Sequence, residues 1–129
     1  MHANGDFEVK LTPQPASTML EPAKLGRQTI EKQFHGDLEA TSLGEMLAAM
    51  SPVQGSAGYV AMERVSGSLH GRRGSFVLQH SGTMNRGAPH LIVSVVPDSA
   101  TDELAGLSGT MTIQIDSGRH SYAFDYALP

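Results

Sequence analysis

The chain of 129 residues contains no cysteine and no tryptophan, and aromatics make up only 5% of it. Without cysteine there are no disulfides and no thiolate metal sites, which fits a reducing compartment. Charge is scarce at 17%, with 9 Lys and Arg against 13 Asp and Glu, for a net charge of −4. No basic run is present, so neither nucleic acid nor an anionic membrane is an expected partner. No apolar run approaches membrane-spanning length. The start, Met1-His2-Ala3-Asn4-Gly5-Asp6, lacks the basic and apolar regions of a secretory signal. The expected location is the cytoplasm.

What is present leans one way. Fourteen glycines, seven prolines and 40% hydrophobic residues suit an all-β chain with short connections. The length suits a single domain over residues 1–129 with one core. The most informative stretch is written twice. Leu69-His70-Gly71-Arg72-Arg73-Gly74-Ser75-Phe76-Val77-Leu78-Gln79 recurs, 35 positions on, as Leu104-Ala105-Gly106-Leu107-Ser108-Gly109-Thr110-Met111-Thr112-Ile113-Gln114. Each copy reads as a tight turn punctuated by two glycines, followed by a strand whose faces alternate.

The same alternation marks the other strands. Phe7, Val9 and Leu11 form one apolar face, and residues 12–24, with Pro13, Pro15 and Pro22, read as a loop. Ile30, Lys32 and Phe34 share a face of the second strand, and the third runs from Leu38 through Met50. Tyr59, Ala61, Glu63 and Val65 form one face of the fourth; Phe76, Leu78 and His80 one face of the fifth. His90–Val96 is a sixth strand, and Ser99 with Asp102 has the spacing of a capping box for one helical turn. After the second repeat strand, Ser117-Gly118 turns into a last strand with His120, Tyr122, Phe124 and Tyr126 on one face. The expected fold is all-β, an eight-stranded antiparallel barrel without exposed edges, with a β-sandwich as the alternative.

The run from Gly58 to His80 resembles a bacterial family of unknown function grouped with the allene-oxide-cyclase-like barrels. Phe34-His35-Gly36-Asp37-Leu38, Val95-Val96-Pro97-Asp98-Ser99, Leu104–Gly109 and His120-Ser121-Tyr122 match the same pattern, so the likeness spans nearly the whole chain. It implies an eight-stranded barrel of the allene-oxide-cyclase or lipocalin type, often oligomeric, in which related barrels guide cyclisation of hydrophobic intermediates. It carries no catalytic residue onto this chain.

Chemistry-bearing residues fall into a few groups. If their faces point inward, Glu63 and His80 place a carboxylate and an imidazole on neighbouring strands in an apolar interior, a general acid–base pair. The bland reading of the same pair is a charge-assisted hydrogen bond that satisfies two buried groups. Tyr59, Phe76, Leu78, His120, Tyr122 and Tyr126 would line a ligand pocket if inward, with a filled core as the plain alternative. His35, Asp37 and Glu39 could gather about a metal on an unbroken strand, but a turn at Gly36 would scatter them, and no metal site is expected.

Two functions follow. The first is a small-molecule-binding barrel for a hydrophobic substrate, an isomerase or cyclase if it is an enzyme, using Glu63 and His80 and no cofactor. It requires an interior that is not packed solid. The second is a non-enzymatic homo-oligomeric or interaction protein with a filled barrel, supported by outward apolar residues such as Val60, Met62 and Ile92. A homo-oligomer is expected on either.

Overall fold

The computed structural model describes residues 1–15 and 18–129. Eight strands follow one another: β1 (His2–Gln14), β2 (Leu25–Gly36), β3 (Leu38–Met50), β4 (Ala57–Leu69), β5 (Arg72–Asn85), β6 (Ala88–Val95), β7 (Ser108–Asp116) and β8 (Arg119–Ala127). Each pairs antiparallel with the next, and β1 pairs with β8, so the sheet closes into a barrel. The barrel expected from the strand count is therefore the fold, and the sandwich falls away. No helix among the described residues is long and apolar enough to cross a membrane.

The period-two pattern sets which side chains fill the barrel. Phe34, Leu38, Ala40, Val65, Leu69, Phe76, Leu78, Val93, Met111, Tyr122, Phe124 and Tyr126 all point inward and are buried. The repeat is visible in three dimensions. Leu69 and Leu104 are both fully buried, and Gly71 and Gly106 both take left-handed backbone, with φ of +81° and +83°. Only glycine adopts that conformation freely. The two copies differ in setting, since the first is the β4–β5 hairpin and the second leads from a 3₁₀ turn (Asp102–Leu104) into β7. Gly74 and Gly109 lie within the strands themselves, not in the turns.

Two local expectations are corrected. The loop expected at 12–24 begins later, because β1 continues to Gln14 with Pro13 opposite Gln28. The β1–β8 pairing stops at Phe7 and His120, so this part of β1 is an edge, where proline is tolerated. Residues 16–17 of that loop lie outside the described residues, and Thr18–Ala23 forms a 3₁₀ turn. The capping box is also absent: the short helix starts at Asp102 with Thr101 as its N-cap, while Ser99 Oγ accepts a hydrogen bond from the Val77 amide at 3.0 Å.

The two ends of the barrel differ. At the end carrying the β2–β3 and β4–β5 turns, Phe76 stacks on Phe124 and Phe124 on Tyr126, and Leu104 and Leu107 close the bottom. At the opposite end the inward-facing side chains become progressively exposed. Ile30 is 4% exposed, Leu91 39%, Leu11 48% and Ile115 67%. There β6 and β7 pair only through Val93–Met111 and Ser94–Thr110, so the wall parts above Val93. This end is an apolar mouth.

Candidate functional site

Between the packed end and the mouth lies a layer of charge. The inward register places Lys32 and Ser42 on one cross-strand row, Gly44, Glu63 and Leu78 on the next, and Ala61 and His80 on the one above. Glu63 Oε1 accepts hydrogen bonds from Lys32 Nζ at 2.9 Å and from His80 Nε2 at 2.7 Å, and Oε2 accepts from Ser42 Oγ at 2.7 Å. Glu63 has no exposed surface, and the Lys32 and His80 side chains keep only 6% and 4%. Lys32 Nζ also stands 4.8 Å from the centroid of the Phe7 ring and 5.6 Å from that of Phe34, so its remaining faces rest on aromatic π-clouds.

Lys32 and Glu63 lie on strands that are not neighbours, and Gly44 of β3 stands between them. A Cβ there would sit 2.7 Å from Glu63 Cβ and 2.2 Å from the Met62 carbonyl oxygen. The absent side chain lets the carboxylate reach across β3.

Burial by itself would raise the Glu63 carboxyl. The His80 hydrogen bond and the Lys32 ammonium outweigh it and hold the group at about 2. Glu63 is thus an anion at neutral pH. Because a carboxylate only accepts, His80 presents Nε2–H to it, and Nδ1 faces the Tyr59 hydroxyl on the mouth side at 3.5 Å. Burial and the Glu63 charge raise the Tyr59 phenol, which stays protonated. An imidazole so held can take a proton at Nδ1 while the carboxylate behind it stabilises the resulting cation.

Around this layer the mouth supplies apolar wall and few polar atoms. Met46 faces inward in the row of His80, and Tyr59 and Leu91 face inward one row above it. Gln28, in the row of Met46, Ala61 and His80, carries a buried Oε1 with no hydrogen-bond partner among the described residues. On the other side of the ring, where β1 outlasts β8, an opening of about 550 Å³ is lined by Phe7, Val9, Arg119 and His120. A groove of about 410 Å³ on the outer wall touches Asp6, His35 and Arg119, which are engaged in the Arg119–Asp6 and His35–Glu8 pairs.

The structure brings Glu63, His80 and Tyr59 together and sets His120 at the rim, its ring 5.2 Å from that of Phe7. It separates the other residues expected to line a pocket. Leu78 stands beside Glu63, its direct partner across β4 and β5, and is fully buried in the core. Phe76, Tyr122 and Tyr126 fill the packed end, away from the mouth. The Tyr122 hydroxyl donates to the His35 carbonyl and accepts from the Leu38 amide, both at 2.9 Å, pinning the β2–β3 turn. Burial first, against a lowering Leu38 hydrogen bond, raises that phenol to about 12. Tyr126 bonds His70 of the β4–β5 turn.

Of His35, Asp37 and Glu39, the Gly36 turn leaves His35 and Glu39 as neighbours, Nδ1 to Oε2 3.8 Å, and engages Asp37 elsewhere. Gly36 has φ +106°; His35 pairs with Glu8, Asp37 accepts from the Asn4 amide, and Glu39 accepts from the Gly36 amide. Among the described residues no group of three His, Asp or Glu side chains is placed to hold a metal.

Lys32, Ser42 and Gln28 complete the site and were not singled out from the sequence. The signal for Lys32 was there, as a lysine on the inward face between Ile30 and Phe34.

A family model for "Protein of unknown function (DUF3224)" matches residues 3–126. A crystal structure of a protein of unknown function from the same family, from Shewanella oneidensis MR-1, superposes with a TM-score of 0.94 at 51% identity. The match covers 100% of this chain and 97% of that one. No curated protein matches.

Proposed function

This chain belongs to the DUF3224 family of proteins of unknown function, and we propose from its own residues that it is a small-molecule-binding barrel. Its ligand is an apolar molecule bearing a hydroxyl or enol, held in the mouth with that group towards Tyr59, His80 and Gln28. The observation that carries this is the buried, hydrogen-bonded Lys32–Glu63–His80 layer beneath an apolar mouth. A layer of this kind is a poor way to gain stability, because burying charge costs about as much as the pairing returns. Perturbed, buried titratable groups beside an opening mark functional sites more often than other positions. Gln28 Oε1 is a buried acceptor with no partner among the described residues, and His80 Nδ1 meets only the Tyr59 hydroxyl at 3.5 Å, so a donor hydrogen on the ligand completes the first.

As an enzyme, the barrel would act as an isomerase or cyclase. His80 removes a proton from the bound hydroxyl or an adjacent carbon and returns it to another atom of the rearranged molecule, Glu63 stabilises the imidazolium between the two transfers, and Lys32 fixes Glu63. The apolar wall folds the substrate into a reactive conformation. A filled, non-enzymatic barrel is the competing reading, and the solid packing around Phe76, Phe124 and Tyr126 favours it for that half of the interior.

Native mass spectrometry of the protein purified from its own host, followed by extraction of bound small molecules, tests the proposal. A co-purifying apolar alcohol or enol, retained by the wild type and lost from His80→Ala and Gln28→Leu, supports it. A ligand retained equally by both variants contradicts the placement.

A further inference from the structure

The outside of the barrel is not uniformly polar. On β3 and β4, Leu43, Leu47, Val60 and Met62 point outward and are 67%, 42%, 55% and 52% exposed. Leu47 stands opposite Val60, and Met62, opposite Glu45, lies diagonal to both Leu43 and Leu47, so the four apolar side chains flank the Glu45 carboxylate. Apolar patches of this kind, rimmed by charge, mark contacts with other macromolecules.

The rim identifies the partner. Glu31 of β2, Leu43 of β3 and Arg64 of β4 lie on one cross-strand row, an acid and a base on either side of a leucine. Neither Glu31 nor Arg64 makes an ion pair among the described residues, although Lys10 stands opposite Glu31 across β1. A twofold axis lying in the contact plane and running along β3 exchanges β2 with β4. It therefore sets Glu31 of each copy against Arg64 of the other, and lays Leu43 and Leu47 on their own counterparts. The like-charge positions this creates lie on the axis itself: Glu45, whose charge is already met by Arg27 through hydrogen bonds of 2.8 and 3.1 Å, and Glu39 at the far end of β3, which accepts from the Gly36 amide at 2.8 Å. The face is self-complementary, as an isologous interface must be.

We infer that the outer face of β2, β3 and β4 is the interface with a second copy of this chain, with Glu31 and Arg64 paired across it twice. The inference is independent of the ligand in the mouth.

Light scattering and sedimentation of the full chain over a range of concentration provide the test. The wild type is expected as a dimer, and Leu43→Lys as a monomer. Glu31→Arg and Arg64→Glu alone each bring like charges together at two symmetric positions, and each is expected to raise the dissociation constant by about tenfold or more. The double variant Glu31→Arg/Arg64→Glu restores the pairs in reverse and returns the constant to near the wild-type value. All three positions are on the surface, so the circular dichroism of every variant should match the wild type. A monomer up to the solubility limit, an assembly of another stoichiometry, single reversals without effect, or a double variant as weak as the singles would each overturn the inference.

Discussion

Glu63 and His80 are diagonal neighbours across β4 and β5: Glu63 stands opposite Leu78 and His80 opposite Ala61, yet Nε2 reaches Oε1 at 2.7 Å. The offset lets Glu63 serve three rows at once, meeting Lys32 and Ser42 on one side and His80 on the other. A direct cross-strand pair would have left one of these groups out of reach.

That arrangement predicts strong coupling between Lys32 and Glu63. Lys32→Met strands a buried carboxylate and Glu63→Leu strands a buried ammonium, and each should cost about 3–5 kcal/mol in urea unfolding. The double variant should cost much less than the sum, because the two charges leave together. Additive losses would show that the pair is not coupled.

Acid should expose the same layer. Glu63 binds its proton near 4.5 when unfolded but only at about 2 when folded. Between those values the unfolded chain holds more protons, so stability is complete above about 4.5 and is lost as pH falls towards 2. The contribution is on the order of 3 kcal/mol. Unfolding curves for the wild type and Glu63→Gln, measured over this range, should converge as pH drops. Curves that stay parallel would mean that Glu63 titrates alike in both states.

Gly44 makes the layer possible, and its replacement should be felt there. Gly44→Ala would place a methyl 2.2 Å from the Met62 carbonyl oxygen, a backbone atom that cannot swing aside. A loss of roughly 1–3 kcal/mol or more is expected in thermal or urea unfolding. A variant as stable as the wild type would show that β3 and β4 can separate there without cost.

Much of this was legible from residue types alone. Alternation on Tyr59, Ala61, Glu63 and Val65, and on Phe76, Leu78 and His80, sets Glu63 and His80 each on a largely apolar face; with both faces inward, the register of the β4–β5 hairpin brings the two together. The family likeness carried by Gly58–His80 agrees with the family match, whereas the likeness to cyclases still assigns no residue a role. Lys32 was harder to place, because its contact crosses an intervening strand and depends on a glycine whose effect is visible only in the register. Tyr122 and Tyr126 share an inward face with His120, but a strand face crosses the whole barrel. Alternation says which side of the wall a residue lies on and not which end, so a rim histidine and two core tyrosines look alike.

The central claim is that the mouth above His80 binds an apolar molecule through a hydroxyl. The most direct measurement is a titration of the isotope-labelled chain with 1-naphthol, with naphthalene in parallel, followed by amide and side-chain NMR shifts. The account predicts saturable shifts at Tyr59, His80 and Leu91 for naphthol, weaker ones for naphthalene, and little change at Phe76 or Tyr126. Shifts confined to the outer wall, or equal responses to the two probes, would contradict it.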